Sequence, residues 1–165
     1  MEMLFENSSS VFFVDAMLGN IAKKLRIMGF DCMYDANIDD NELIRLAKKD
    51  NRIIISKDFD LIKKSLKSGI RTIFLEKKDE FGQLYEIILK LKLKKIEIDG
   101  NTTRCPKCNS KTECIKKEFV SNKLPDGVLD HNENFWICKN CDKVFWEGSH
   151  IINLKKLAER LNERL

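Results

Sequence analysis

Short apolar runs alternate with longer amphipathic stretches over the first ninety residues. Val11-Phe-Phe-Val14 is continuous, β-branched and aromatic, which is the pattern of a strand buried on both faces. It ends at Asp15. Leu18, Ile21, Ala22, Leu25 and Met28 then recur at helical spacing, predicting a helix over residues 17–28 that Gly29 stops in the left-handed region. Residues 30–34 read as a second strand. Asp39-Asp40 stands where a helix N-cap and first turn belong, with Leu43, Ile44 and Ala47 as the apolar face. Residues 52–56 form a third strand, residues 59–67 a helix closed by Gly69, and residues 70–75 a fourth strand. Phe81, Leu84, Ile87, Ile88 and Leu91 mark one more amphipathic helix.

Four alternations of strand and helix predict an α/β fold, a parallel sheet flanked by helices on both faces. Ligands of such sheets bind outside the carboxyl ends of the strands. Asp15 and Asp58 directly follow two different strands, so both fall on that edge.

The pattern then changes. Lys90-Leu-Lys-Leu-Lys-Lys95 leads out of the α/β part as a linker or a solvated helix end; a basic strip facing nucleic acid is the lesser reading. Phe135-Trp-Ile and Val144-Phe-Trp read as two strands of a small hairpin. Leu154, Leu157, Ala158, Leu161 and Leu165 make a closing amphipathic helix, to be packed on one of the two parts or on a partner. The expected division is residues 10–95, 103–150 and 151–165.

Cysteine spacing gives the second part its centre. Cys105-Pro-Lys-Cys108 and Cys138-Lys-Asn-Cys141 are paired knuckles 29 residues apart, the arrangement that closes a tetrahedral zinc site. Four thiolates leave no open position, so the zinc is expected to be structural, and it would help fold a module too small to rely on its own core. Of the six cysteines, Cys32 reads as a small buried hydrophobe, and Cys114 breaks the paired spacing. Residues 126–134 read as a polar loop with His131 on the surface.

Composition narrows the class only a little. The 165 residues carry 30 Lys and Arg against 26 Asp and Glu, a net charge of +4 spread along the chain. Nucleic acid is permitted by that balance, not demanded. No run of about 18 apolar residues exists to cross a membrane. The first ten residues lack the basic start and apolar core of a secretory signal. Paired thiols without such a signal point to a reducing, cytoplasmic setting.

Asp15, Asp58 and the Asp39-Asp40 pair supply hard oxygen ligands from separate segments, as Mg²⁺ or Mn²⁺ would need; helix capping explains Asp39 and Asp58 equally well. Residues 14–31, Asp39-Asp-Asn-Glu-Leu-Ile and Arg52-Ile-Ile-Ile-Ser-Lys-Asp58, followed by Arg104-Cys-Pro-Lys-Cys-Asn109 and residues 135–150, resemble the Mut-seven C-terminal RNase family over nearly the whole chain. The resemblance implies a PIN-like nuclease fold followed by a zinc ribbon. It implies a metal-dependent ribonuclease with catalytic acids at Asp15, Asp40 (Asp39 beside it) and Asp58. These would hold one or two Mg²⁺ or Mn²⁺ ions, while Cys105, Cys108, Cys138 and Cys141 hold zinc.

The family's two first-helix arginines fall at Lys23 and Arg26. Its Thr-Arg-Asp turn is Ser56-Lys57-Asp58 here, and lysine lacks the bidentate fork of arginine. Lys23, Arg26 and Lys57 are the expected phosphate contacts, with Trp146 and His150 as RNA contacts from the ribbon. Packing within the ribbon is the plainer role for Trp146 and His150. Asp60 suits a helix first turn. The α/β part has no histidine, which disfavours a His-dependent mechanism. Two rivals follow: a non-catalytic RNA- or ribosome-associated protein, and an adaptor docking through the ribbon and last helix. A homodimer or a ribonucleoprotein partner is compatible with the sequence, and no interface is specified.

Overall fold

β1 (Val11–Val14) sends successive side chains to opposite faces of a sheet, and both faces are buried. Phe12 and Val14 enter one core, Phe13 the other. The computed structural model describes residues 10–165. β2 (Asp31–Tyr34), β3 (Ile53–Ser56) and β4 (Thr72–Phe74) complete a parallel four-stranded sheet in the order β2-β1-β3-β4. Ile53 and Ile55 repeat the split, facing the first core, while Ile54 faces the second.

The first core is covered by α1 (Gly19–Ile27), α4 (Glu80–Lys90) and the closing helix α6 (Ser149–Asn162), through Leu25, Ile87, Leu154 and Leu161 among others. The second is covered by α2 (Asp40–Lys49) and α3 (Phe59–Lys67), through Leu43, Ala47 and Leu61. Helices on both faces are what near-continuous apolar strands require. α6 therefore packs on the α/β part, as one of its expected placements. No helix of the described residues is long and apolar enough to cross a membrane.

α1 starts later than its apolar spacing predicts. Residues 16–18 form a 3₁₀ turn, and the helix proper begins at Gly19. Tyr34 explains the tight turn. Its hydroxyl donates to the Ala16 carbonyl at 3.0 Å, and its ring lies over Gly19 so closely that a Cβ there would sit 2.7 Å from the hydroxyl oxygen. Gly29, with φ +94°, ends the helix as expected.

Residues 90–96 are neither a free linker nor a wholly solvated end. Leu91, Leu93 and Ile96 are buried in the first core. Asn162 of α6 fastens this segment at both groups of one residue: its Oδ1 accepts from the Ile96 N–H at 2.8 Å, and its Nδ2 donates to the Ile96 carbonyl at 2.9 Å.

The second part is a zinc-ribbon-like module, an antiparallel sheet of β5 (Glu113–Ile115), β6 (Phe135–Cys138) and β7 (Lys143–Trp146). β6 and β7 are the expected hairpin; β5 adds a third strand. Phe135, Val120 and Val144 form its core. The expected polar loop holds a short helix, α5 (Asp126–His131), whose Val128 and Leu129 pack on that core. His131 is exposed, its Nδ1 2.8 Å from the Gly127 carbonyl oxygen.

Candidate active site and zinc centre

β1 and β3 lie side by side, so their carboxyl ends bring Asp15 and Ser56 together. Ser56 is fully buried, and its hydroxyl donates to Asp15 Oδ2 at 2.6 Å. The Ser56 Oγ in turn accepts from the Asp58 N–H at 2.8 Å. One hydroxyl thus fixes both the Asp15 carboxylate and the turn that carries Asp58. Asp15 is itself only 8% exposed, and its Oδ1 has no hydrogen-bond partner among the described residues. The sequence set Ser56 at the head of the Ser-Lys-Asp turn, but its bond to Asp15, 41 residues away, was hidden there.

Asp58 caps α3, accepting at Oδ1 from the N–H groups of Asp60 (2.8 Å) and Leu61 (3.2 Å). Asp39 caps α2 in the same way, from Asn41 (2.9 Å) and Glu42 (3.1 Å). Asp40 opens α2 and pairs with Lys64 of α3 at 3.3 Å. Asp60 lies in the first turn of α3, where an acid complements the helix dipole.

A concavity of about 460 Å³ opens beside the carboxyl end of β1, lined by the 3₁₀ turn, Asn20, Lys23, Tyr34, Lys57 and Lys78 among others. Lys23 and Lys57 are both exposed there, and neither has a charge partner among the described residues. Arg26 is elsewhere. It is 5% exposed; its Nε donates to the Cys32 carbonyl at 2.8 Å and its Nη1 to those of Pro106 (2.8 Å) and Lys107 (3.3 Å). In this geometry its guanidinium joins α1, β2 and the first knuckle rather than facing the concavity. Trp146 and His150 line a second, larger cleft between α1, the ribbon and α6. Trp146 also packs against the ribbon core.

The four knuckle cysteines place every Sγ within 4.8 Å of the others. Cys105 and Cys141 are 3.6 Å apart, and Cys108 and Cys138 3.4 Å. A tetrahedron with Zn–S bonds of about 2.3 Å spaces its sulfurs by about 3.8 Å, so the set fits zinc. Burial pushes the thiols of Cys105, to about 12, and Cys138 upward. At Cys108 burial acts in the same sense but is outweighed by hydrogen bonds from Ser110 and Asn140, leaving it at about 6. Each knuckle is followed by a residue in the left-handed region, Asn109 (φ 68°) and Asp142 (φ 56°), types that tolerate it.

Asn109 does more than turn the chain. Its Oδ1 accepts from the Cys32 N–H at 3.0 Å and its Nδ2 donates to Asp31 Oδ1 at 2.9 Å, closing the outer edge of β2 against the knuckle. Asp31 also holds Arg52 at 2.6 Å and Arg104 at 3.6 Å. Asp31, Arg52 and Asn109 fall within the motif stretches of the sequence, but nothing there gave them this joining role.

The carboxylates are less converged than the cysteines. Among the described residues, the cysteine set is the only group of three or more His, Cys, Asp or Glu gathered tightly enough to share an ion. The oxygen donors at the strand ends match a hard cation in kind, but they form no such group among the described residues.

A parallel α/β layer with acids on its carboxyl edge is joined to a four-cysteine, zinc-ribbon-like module. The family model of the Mut7-C RNAse domain matches residues 10–158, and the chain belongs to that family. Membership implies RNA as the substrate. No curated protein and no solved structure matches the chain.

Proposed function

We propose that the protein is a Mg²⁺- or Mn²⁺-dependent ribonuclease that hydrolyses RNA phosphodiester bonds at the Asp15 edge, with Asp58 and Asp40 beside it and a structural zinc ribbon that places the strand. One observation carries this reading: Ser56 orients Asp15 and the Asp58 turn together at the carboxyl ends of adjacent strands. The working division is a nuclease unit over 10–95, a ribbon over 103–150 and a closing helix over 151–165. The unpaired knuckle thiols suit a reducing, cytoplasmic setting.

Asp15, Asp40 and Asp58 would hold a divalent ion, which would polarise the scissile phosphate and lower the pKa of a bound water. The chain's own groups do the rest. Asp15, fixed through Oδ2, presents Oδ1 to orient the attacking water. As the water oxygen bonds to phosphorus and the ester oxygen leaves with a proton, Lys57 and Lys23 offset the charge on the phosphoryl oxygens. Lysine acts here as a point charge, without the two-pronged grip of arginine.

The capping roles of Asp39 and Asp58 favour one rival, an RNA-binding protein without catalysis. A mixed panel of structured and single-stranded RNAs separates the two. Cleavage that needs Mn²⁺ or Mg²⁺ and disappears in Asp58→Asn, while that variant still binds RNA, supports the ribonuclease. Intact RNA in every lane with folded, zinc-loaded protein supports the rival.

A further inference from the structure

A cleft of about 750 Å³ runs between α1, the first knuckle, β7 and α6. Its walls carry five Lys or Arg side chains and no Asp or Glu, in a chain that has 26 acids to 30 bases. A balanced composition has been sorted here into one sign of charge. Lys23, Lys143 and Lys156 are exposed, and Lys23 and Lys156 have no charge partner among the described residues. Phe145 lies on the same wall, half-buried and outside the ribbon core, with the Lys143 ammonium 5.9 Å from its ring centre.

Asn20 and Lys23 of α1 line both this cleft and the concavity at the 3₁₀ turn that follows Asp15. A chain bound at the acidic edge and leaving across α1 meets Lys23 first, then Phe145 and Lys143 on the ribbon and Lys156 on α6. Cations on three elements with a partly exposed aromatic ring among them match a phosphate backbone whose bases are out of the stack. A duplex offers its phosphates but keeps its base faces from Phe145.

We infer that this cleft holds single-stranded RNA, on one side of the scissile bond, after the strand has crossed Lys23. The inference rests on the ribonuclease reading for its ligand, and it adds a strand path and a preference for unpaired RNA. It also gives the ribbon a direct contact with substrate, through β7.

The test uses full-length, zinc-loaded Asp15→Asn protein, which leaves the RNA uncut. A fluorescein-labelled oligouridine of about 12 nucleotides is titrated by anisotropy over a range of salt, in parallel with a duplex of equal length. Combining Lys143→Glu and Lys156→Glu is expected to weaken single-strand binding at least about tenfold. It should also flatten the plot of log affinity against log salt by about 1.4, at about 0.7 per phosphate lost. Phe145→Ala is expected to weaken the single strand and leave the duplex as it was.

Unchanged affinity in the double reversal overturns the inference, as does a duplex bound as tightly as the single strand. A polyglutamate peptide bound as tightly as the RNA overturns it in favour of an acidic protein segment. If the double reversal loses zinc or its circular dichroism, photo-crosslinking of 4-thiouridine RNA to the Asp15→Asn protein decides instead. Adducts within residues 143–156 support the cleft, and adducts confined to other segments overturn it. Wild-type cleavage alongside an unaffected double reversal sinks the cleft and leaves the ribonuclease standing. Cleft-dependent binding with no divalent-dependent cleavage does the opposite.

Discussion

Arg26 Nη1 donates to the Pro106 carbonyl at 2.8 Å across 80 residues of sequence, so the helix that follows Asp15 is bolted to the first zinc knuckle. The same side chain holds the Cys32 carbonyl on the sheet edge through Nε. Both contacts use a fork of fixed geometry, and the group is almost wholly buried. One side chain therefore ties the helix after Asp15 and the sheet edge to the first cysteine knuckle.

Truncating that link should be costly. Arg26→Ala leaves the carbonyls of Cys32 and Pro106 without their donor, at about 1–3 kcal/mol for each one left dry. Arg26→Lys keeps the charge and loses the fork, so it should recover only part. Urea denaturation of the zinc-loaded variants measures this. Wild-type stability in Arg26→Ala would contradict it and free Arg26 for a phosphate.

Ser56→Ala should uncouple Asp15 from the Asp58 turn. A buried hydroxyl that donates to one group and accepts from another is lost, for about 1–3 kcal/mol of stability. RNA cleavage should fall at least about tenfold, the scale of one misplaced group, while affinity for uncut RNA stays near wild type. Ser56→Thr keeps the hydroxyl and should cut faster than Ser56→Ala. A Ser56→Ala enzyme with full activity would show that Asp15 needs no such fixing.

The reach of sequence reading followed the physics of each signal. Gly29 and Gly69, both with positive φ, and the caps Asp39 and Asp58 were legible because each rests on a local backbone rule. α3 matched its periodicity over its full length. α5 was missed because six residues are too few to show a helical period, and β5 because three residues with mostly exposed side chains carry no alternation. Residues 90–95 read as a linker or solvated end because lysines flank the leucines; the helical period marked Leu91, but only the tertiary packing shows that Leu93 and Ile96 are buried too. Lys23 and Arg26 share one helix, and only the fold sends one to the concavity and the other to the knuckle. Cys32 is buried, as its apolar setting suggested.

Thiol accessibility should divide the six cysteines. Burial pushes the Cys32 thiol up to about 12, bound zinc would protect the four knuckle thiolates, and Cys114 is exposed. Near pH 8 an alkylating reagent should modify Cys114 alone in the zinc-loaded protein. Chelation should add the knuckle cysteines, and Cys32 should follow only on unfolding. A raised thiol pKa stabilises the fold fully below the unfolded value, and that contribution fades as pH climbs from about 8.5 toward about 12. Rapid labelling of Cys32 in the folded protein would refute its burial.

Asp31 should give the fold an acid-sensitive clasp. Burial alone would raise its pKa, but the Arg52 and Asn109 hydrogen bonds and the nearby Arg104 outweigh it, and the folded value is lowered. A depressed carboxylate stabilises above its unfolded pKa of about 3.9 and loses that contribution as pH falls through the folded value. Asp31→Asn should therefore lower the melting temperature at pH 7 and differ much less from wild type at pH 3. An equal gap at both would mean that the charge is not what matters.

Divalent-dependent cutting of RNA at the Asp15 edge is the property on which the proposed function depends most directly. Initial cleavage rates of a single-stranded RNA are measured against Mn²⁺ concentration, for wild-type and Asp15→Asn protein loaded equally with zinc. The expected result is a saturable rise for wild type, no cutting in chelator, and a loss of at least about a hundredfold in Asp15→Asn. Equal rates for the two proteins, or cutting that persists in chelator, would contradict it.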